Sequence, residues 1–348
     1  MNRRDSAKFA IIIASVSILG AQSGPGVASA GYRVPSRIEV APGQIVTLFV
    51  TNMKVKQSGV ATGLPLPTTL AGISVSMTYN DPGPVPVPIL VVVPVIDSGC
   101  APADEVPLNV TNPCGVVAVT IQVPYFRVIG GVTGPNPLQL IVSENGVPGP
   151  RLAFRLYYDQ IHIVTGCFSF EPSVMIQNCK PVIAHANFVP ITARNPAQPG
   201  ETVVLFAYGL GATLPAVVAG VAAPTPAAVA SFRPSLSFLF SPNATAGWWS
   251  NGPVDTAIAD EEHQAQFAGL APGCPGLYQI NFKVPTPPSG TPSCDQNPNL
   301  VSGYAGTTNV VTNVTVVLRG SDSWDGAGFC VAVPTPSKQP EKEPARRH

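Results

Sequence analysis

The chain has 348 residues, of which 45% are hydrophobic and only 11% charged, with 19 basic and 19 acidic side chains. That balance removes the electrostatic case for a nucleic-acid or anionic-membrane partner. Forty prolines and 32 glycines exclude long helices and suit short strands joined by many turns, and the Val-, Ile- and Leu-rich runs between them argue for packed sheets rather than disorder.

In chain order, Arg3, Arg4 and Lys8 precede a short apolar run, Phe9 to Leu19, too short for a comfortable membrane span. Ala28-Ser29-Ala30 has the small-x-small pattern of a cleavage site. Residues 1–30 therefore read as a secretory signal, with Gly31 opening the mature chain. Twin-arginine export, hinted at by Arg3-Arg4, and an uncleaved anchor are the alternatives. Cleavage leaves 16 basic and 18 acidic groups, a net charge of −2, and no membrane attachment.

Strands are expected at 36–40 and 44–51, split by the turn Ala41-Pro42-Gly43, then at 70–79, 88–96, 116–124, 138–143 and 152–158. Glu144-Asn145-Gly146 is a hairpin turn. Further strands are expected at 202–208, within 216–230, and at 235–240, 277–284, 309–319 and 328–333. Residues 244–260 read as a loop, and the charged, proline-studded tail 334–348 reads as disordered.

Seven cysteines follow the signal. Export makes disulfides the first reading. Nearest neighbours pair Cys100 with Cys114 and Cys167 with Cys179, each loop contributing roughly 3 kcal/mol through unfolded-state entropy. Cys294 with Cys330 is the third pair, which leaves Cys274 as the free thiol. Spacing alone does not fix the connectivity.

An internal repeat runs through the chain. Pro42-Gly43-Gln44-Ile45-Val46-Thr47-Leu48-Phe49 parallels Pro199-Gly200-Glu201-Thr202-Val203-Val204-Leu205-Phe206. Leu66-Pro67 followed by Gly72 parallels Leu214-Pro215 followed by Gly220. Ile121-Gln122-Val123-Pro124 parallels Phe282-Lys283-Val284-Pro285. The expected fold is all-β, two tandem Ig-like β-sandwiches: signal 1–30, a first sandwich 31–158, a cysteine-stapled connecting segment 159–197, a second sandwich 198–333, and the tail 334–348.

PGETVVLFAYGLG, FAGLAPGCPGLYQINFKVP and SWDGAGFCV resemble the Ig-like C-terminal domain of many secreted acidobacterial proteins, the Solibacter C-terminal domain family. The resemblance covers about residues 195–333, with a divergent copy over 36–158. It implies a fold and an exported location, and it brings no catalytic residues. Cys274 stands at a turn position where the family usually carries an aromatic.

Chemistry is sparse. There is no Gly-x-Ser-x-Gly elbow, His-Glu-x-x-His or phosphate loop. His162, His185 and His263 are the realistic bases, and His162 reads as an ordinary strand histidine. Asp260-Glu261-Glu262-His263 and Asp322/Asp325 are acidic enough for calcium, but a solvated loop and glycine-rich turn account for them better. Trp248-Trp249 is the candidate ligand contact, as aromatics on sandwich loops stack on sugars or anchor a protein partner; the plainer reading has them plug the core. The expected function is non-enzymatic: an exported, secreted or periplasmic module for adhesion or for binding a protein or polysaccharide, without a cofactor or metal. A structural spacer is the alternative, and a hydrolase with an unrecognised site the third.

Overall fold

The computed structural model describes residues 26–31, 39–55, 57–79, 83–94, 116–127, 136–164, 182–192, 194–239, 261–287, 313–319, 321–323 and 327–332. Every regular element among them is a strand, and the fold is two Ig-like β-sandwiches in tandem. The first uses β1 (Gly26–Gly31), β2 (Glu39–Val40), β3 (Ile45–Thr51), β4 (Gly59–Val60), β5 (Thr69–Leu70), β6 (Ile73–Thr78), β7 (Val85–Pro86), β8 (Ile89–Pro94), β9 (Val117–Gln122), β10 (Asn136–Glu144), β11 (Val147–Pro148) and β12 (Leu152–Leu156). One sheet runs β1-β3-β9-β8-β4 and the other β2-β12-β10-β6-β5, with β7 beside β6 and β11 beside β10.

The second sandwich uses β13 (His162–Ile163), β14 (Ile183–His185), β15 (Thr202–Tyr208), β16 (Thr213–Leu214), β17 (Val229–Ala230), β18 (Ser235–Leu239), β19 (Glu261–Gln264), β20 (Phe267–Leu270), β21 (Tyr278–Lys283), β22 (Asn313–Leu318), β23 (Ser321–Asp322) and β24 (Ala327–Gly328). Its sheets run β13-β15-β21-β20-β17-β16, with β14 also on β15, and β19-β18-β22-β23, with β24 on β22. Strands β13 and β14 come from the stretch read as a connector.

Alternation of apolar residues builds each core. Ile73, Val75 and Met77 of β6 face inward and the serines between them do not. Tyr278, Ile280 and Phe282 do the same on β21. The two sandwiches keep separate apolar clusters, one holding Leu48, Ile121, Leu140 and Phe154, the other Leu205, Phe238, Phe282 and Val316.

The repeat survives as geometry. Ile45 pairs with Gln122 and Val46 with Ile121; Thr202 pairs with Lys283 and Val203 with Phe282. Gly43 N–H donates to Val123 O at 3.0 Å, and Gly200 N–H to Val284 O at 2.7 Å. The Gln44 side-chain oxygen accepts from Ala41 N–H at 2.6 Å, as Glu201 accepts from Gln198 N–H at 2.8 Å. Residues in the same repeat position thus make the same bonds in the same register.

Further expectations change. Residues 70–79 are two strands, because Ala71 and Gly72 take positive φ (50° and 77°) and turn the chain between β5 and β6. Within 216–230 only Val229 and Ala230 are strand. Glu261 to Gln264 is strand β19, paired with β18, where a loop was expected; the cross-strand ladder outweighs the acidic residues' preference for turns.

Leu48 and Leu205 occupy equivalent positions and are fully buried. Leu48→Ala and Leu205→Ala should each cost about 2–5 kcal/mol in urea unfolding. A loss below about 1 kcal/mol at either would contradict the shared packing.

Candidate functional site at the junction of the sandwiches

The end of the first sandwich sits on the start of the second with almost no linker. Tyr157 N–H donates to Val40 O at 2.9 Å, and Gln160 N–H to Gly209 O at 2.8 Å. Only Tyr158 and Asp159 lie between these two bonds. Glycine allows the approach: a Cβ on Gly211 would stand 2.1 Å from Tyr158 O, and one on Gly209 1.8 Å from Gln160 O.

Gln122 bridges the two bodies. Its buried side chain donates from Nε2 to Gly43 O at 3.3 Å and accepts at Oε1 from Gly220 N–H at 2.6 Å. Leu66 N–H donates to Gly220 O at 2.6 Å, so both backbone groups of Gly220 are engaged by the first sandwich. A Cβ on Gly276 would lie 2.7 Å from Gly43 O and 2.8 Å from Gln122 Nε2. Tyr125 packs against Gly43, and its buried hydroxyl makes no well-formed hydrogen bond although Tyr278 and Gln122 lie alongside. Burial pushes Tyr125 up to about 12, against the pull of those two neighbours. The Tyr278 hydroxyl donates to Gly211 O, and burial, then Tyr125, raises its pKa.

A second latch closes the linker. The Arg319 guanidinium stands 4.4 Å from the Tyr158 ring centre and 4.3 Å from that of Phe232, a cation held between two aromatic faces. Burial pushes the Asp159 carboxyl up to about 6, opposed by the Ser321 hydroxyl and the Arg319 charge.

Exposed apolar side chains, together called the strip, lie on the segments that make the joint. Leu214 and Val229 are direct cross-strand partners, 61% and 41% exposed. Val218 and Val221 flank Gly220, and Leu64 lies two residues from Leu66; all three are exposed. The exposed residues were not anticipated: Val218, Val221 and Val229 fall within 216–230, where one strand is expected, and of these only Val229 lies in a strand.

The expected site residues fall elsewhere. Trp248 and Trp249 lie outside the described residues, as do Cys100, Cys114, Cys167, Cys179 and Cys294. Cys330 is buried after β24, and Cys274 is an exposed free thiol in the turn before β21. His162 pairs with Tyr208 on β13, and His263 lies on β19 edge-on to Phe238. His185 Nδ1 meets Glu201 Oε1 at 2.5 Å while Nε2 lies 3.3 Å from Asn195 O, so both ring nitrogens face protein acceptors. Among the described residues no three His, Cys, Asp or Glu side chains gather as metal ligands, and no helix is long and apolar enough to cross a membrane.

No protein-family model matches the chain, and no curated protein does. Among solved structures it is similar to a titin A168–169 fragment, at 10% identity over 89% of this chain and 99% of that one, TM-score 0.18. It is similar to the N-terminal Ig1-2 module of the Drosophila receptor protein tyrosine phosphatase DLAR, at 12% identity over 89% and 100%, TM-score 0.16. It is also similar to the C-terminal domain of the Streptococcus agalactiae AgI/II polypeptide BspA, at 8% identity over 88% and 99%, TM-score 0.19.

Two predictions follow from the joint. Gln122→Ala strips Gly43 O and Gly220 N–H of a buried partner and should cost about 1–3 kcal/mol, with small-angle scattering showing a wider spread of inter-sandwich angles; an unchanged profile would mean the bridge does not hold the pair. Asp159 binds its proton more tightly folded (about 6) than at its ordinary 3.8. Stability should therefore rise as pH falls from 7 to 4 and level off below the unfolded value. Asp159→Asn should flatten that slope in melts across the range; a slope left intact would place its source elsewhere.

Proposed function

We propose that this chain is an exported, non-enzymatic β-sandwich module for adhesion or ligand binding, its ligand a protein or polysaccharide. The exposed strip Leu64, Leu214, Val218, Val221 and Val229 carries the reading, because the latched joint holds its two halves in one geometry. Grouped exposed apolar residues, as at the cross-strand pair Leu214 and Val229, mark interaction surfaces in soluble proteins, and a surface needing no ordering on contact loses less affinity to entropy. Seven cysteines after the leader fit an oxidising compartment, with Cys294 the proposed partner of Cys330 and Cys274 the proposed single free thiol. The motif resemblance to the secreted acidobacterial domain points the same way.

The two-residue linker favours a second reading, a stiff spacer without a discrete ligand. Binding to a glycan array and to isolated cell envelopes separates the two. Val218→Ser with Leu214→Ser should lower signal at least tenfold, and Val147→Ser, on the hairpin after β10, should not. Binding that vanishes with Trp248→Ala and Trp249→Ala but survives the strip variant would move the contact to those tryptophans. Signal absent from the unaltered protein would leave the spacer.

A further inference from the structure

The segment Gly26–Gly31 is built into the first sandwich. It pairs antiparallel with β3, Gly26 opposite Thr51, Ala30 opposite Leu48 and Gly31 opposite Thr47. The bond expected to be cut, Ala30–Gly31, therefore lies within a hydrogen-bonded strand. Cutting it would leave one of six strand residues attached.

The second sandwich shows that this place is meant to be filled. By the register of the repeat, Thr47–Thr51 corresponds to Val204–Tyr208. There the same side of β15 is covered by β13, opposite Ala207 and Tyr208, and β14, opposite Val203 to Leu205. Both covering strands come from the stretch just before β15 in sequence. In the first sandwich the stretch before β3 supplies β1 in the same place. Without it, backbone donors and acceptors along β3 lose their partners, and a bare edge invites pairing with other chains.

We infer that β1 belongs to the mature protein and that the leader is removed upstream, at Ser23–Gly24. Ala21-Gln22-Ser23 has the small-x-small pattern and follows the apolar run ending at Leu19 by four residues, whereas Ala30 follows it by eleven. A leader peptidase would hydrolyse the Ser23–Gly24 amide, water supplying the hydroxyl to the Ser23 carbonyl carbon and a proton to the Gly24 nitrogen. Residues 1–23 leave, and Gly24-Pro25 leads directly into β1. The inference rests on the export reading.

The test is expression of the full chain in a bacterial host, with cell fractionation, intact mass and N-terminal sequencing of the exported protein. The expected N-terminus is Gly24. Ala21→Leu with Ser23→Leu should block release of the leader, while Ala28→Leu with Ala30→Leu should leave the cut at Gly24. Hydrogen exchange should show the β3 amides facing β1 at least tenfold slower than in an unstructured peptide. An exported chain starting at Gly31 would overturn the inference and leave export standing. An exported chain that keeps Met1 would overturn the cut. A cytosolic, unprocessed chain would overturn both.

Discussion

A single glutamine amide caught between two backbones sets how the molecule is put together. Gln122 holds Gly43 O with one end and Gly220 N–H with the other. Its side chain is out of water, so each end must find a partner or cost about 1–3 kcal/mol. Both partners belong to chain turns, and turns can come that close only where no Cβ intervenes. Gly43, Gly220 and Gly276 satisfy that condition. Hydrogen bonding and steric access therefore demand the same arrangement. Tandem sandwiches ordinarily move about their linkers; here the linker is two residues, and Arg319 clamps it from the side.

The repeat shows what is general and what is particular to the joint. Gly43 and Gly200 share a positive φ, 73° and 82°, because the same turn enters the same strand. Yet a Cβ on Gly43 would fall 2.2 Å from Tyr125, while one on Gly200 would meet nothing within 4 Å. Gln122 is matched by Lys283, which is exposed. One end of the repeated unit has been converted into a docking face in the first copy and left open to water in the second. The connections differ too. Between β20 and β21 a seven-residue turn carries Gly276 to the first sandwich, whereas the corresponding β8–β9 connection runs through residues 95–116 with two cysteines.

Much of the fold could be read from the order of residues because alternation and turn chemistry are local. IVTLFVT and YQINFK declare one buried face each, and Pro-Gly before a strand declares its turn. The joint could not, because nothing in a lone Gln within IQVP separates it from an edge residue; its meaning comes from Gly220, 98 residues on. Strand β19 was hidden for a related reason. Glu261, Glu262 and His263 look like a solvated loop until Leu236 and Phe238 are placed opposite them. Strand β1 was hidden by a different cause: small residues that suit a peptidase also suit a strand lying close against its neighbour. The exposure of Val218 and Val221 was not legible because apolar residues among prolines fit a strand or a loop equally, and burial is decided by the whole fold.

Edges complete the logic. A sandwich presents four sheet edges, and two sandwiches present eight, each a template for unwanted pairing. Five of the edge strands, β2, β4, β5, β13 and β16, are each two residues long, too short to recruit another chain strongly, whereas the edges β1 and β19 run six and four residues. β3 and β15 are seven residues long and would be dangerous if bare. Each is central because an extra strand is laid on its outer side: β1 in one copy, β13 with β14 in the other. With charge scarce, exposed apolar side chains such as those at the joint are available among the described residues to meet other molecules. A surface of that kind persists without causing aggregation only if it is small, held still and normally occupied, and the short linker with its Arg319 clamp serves the second of those conditions.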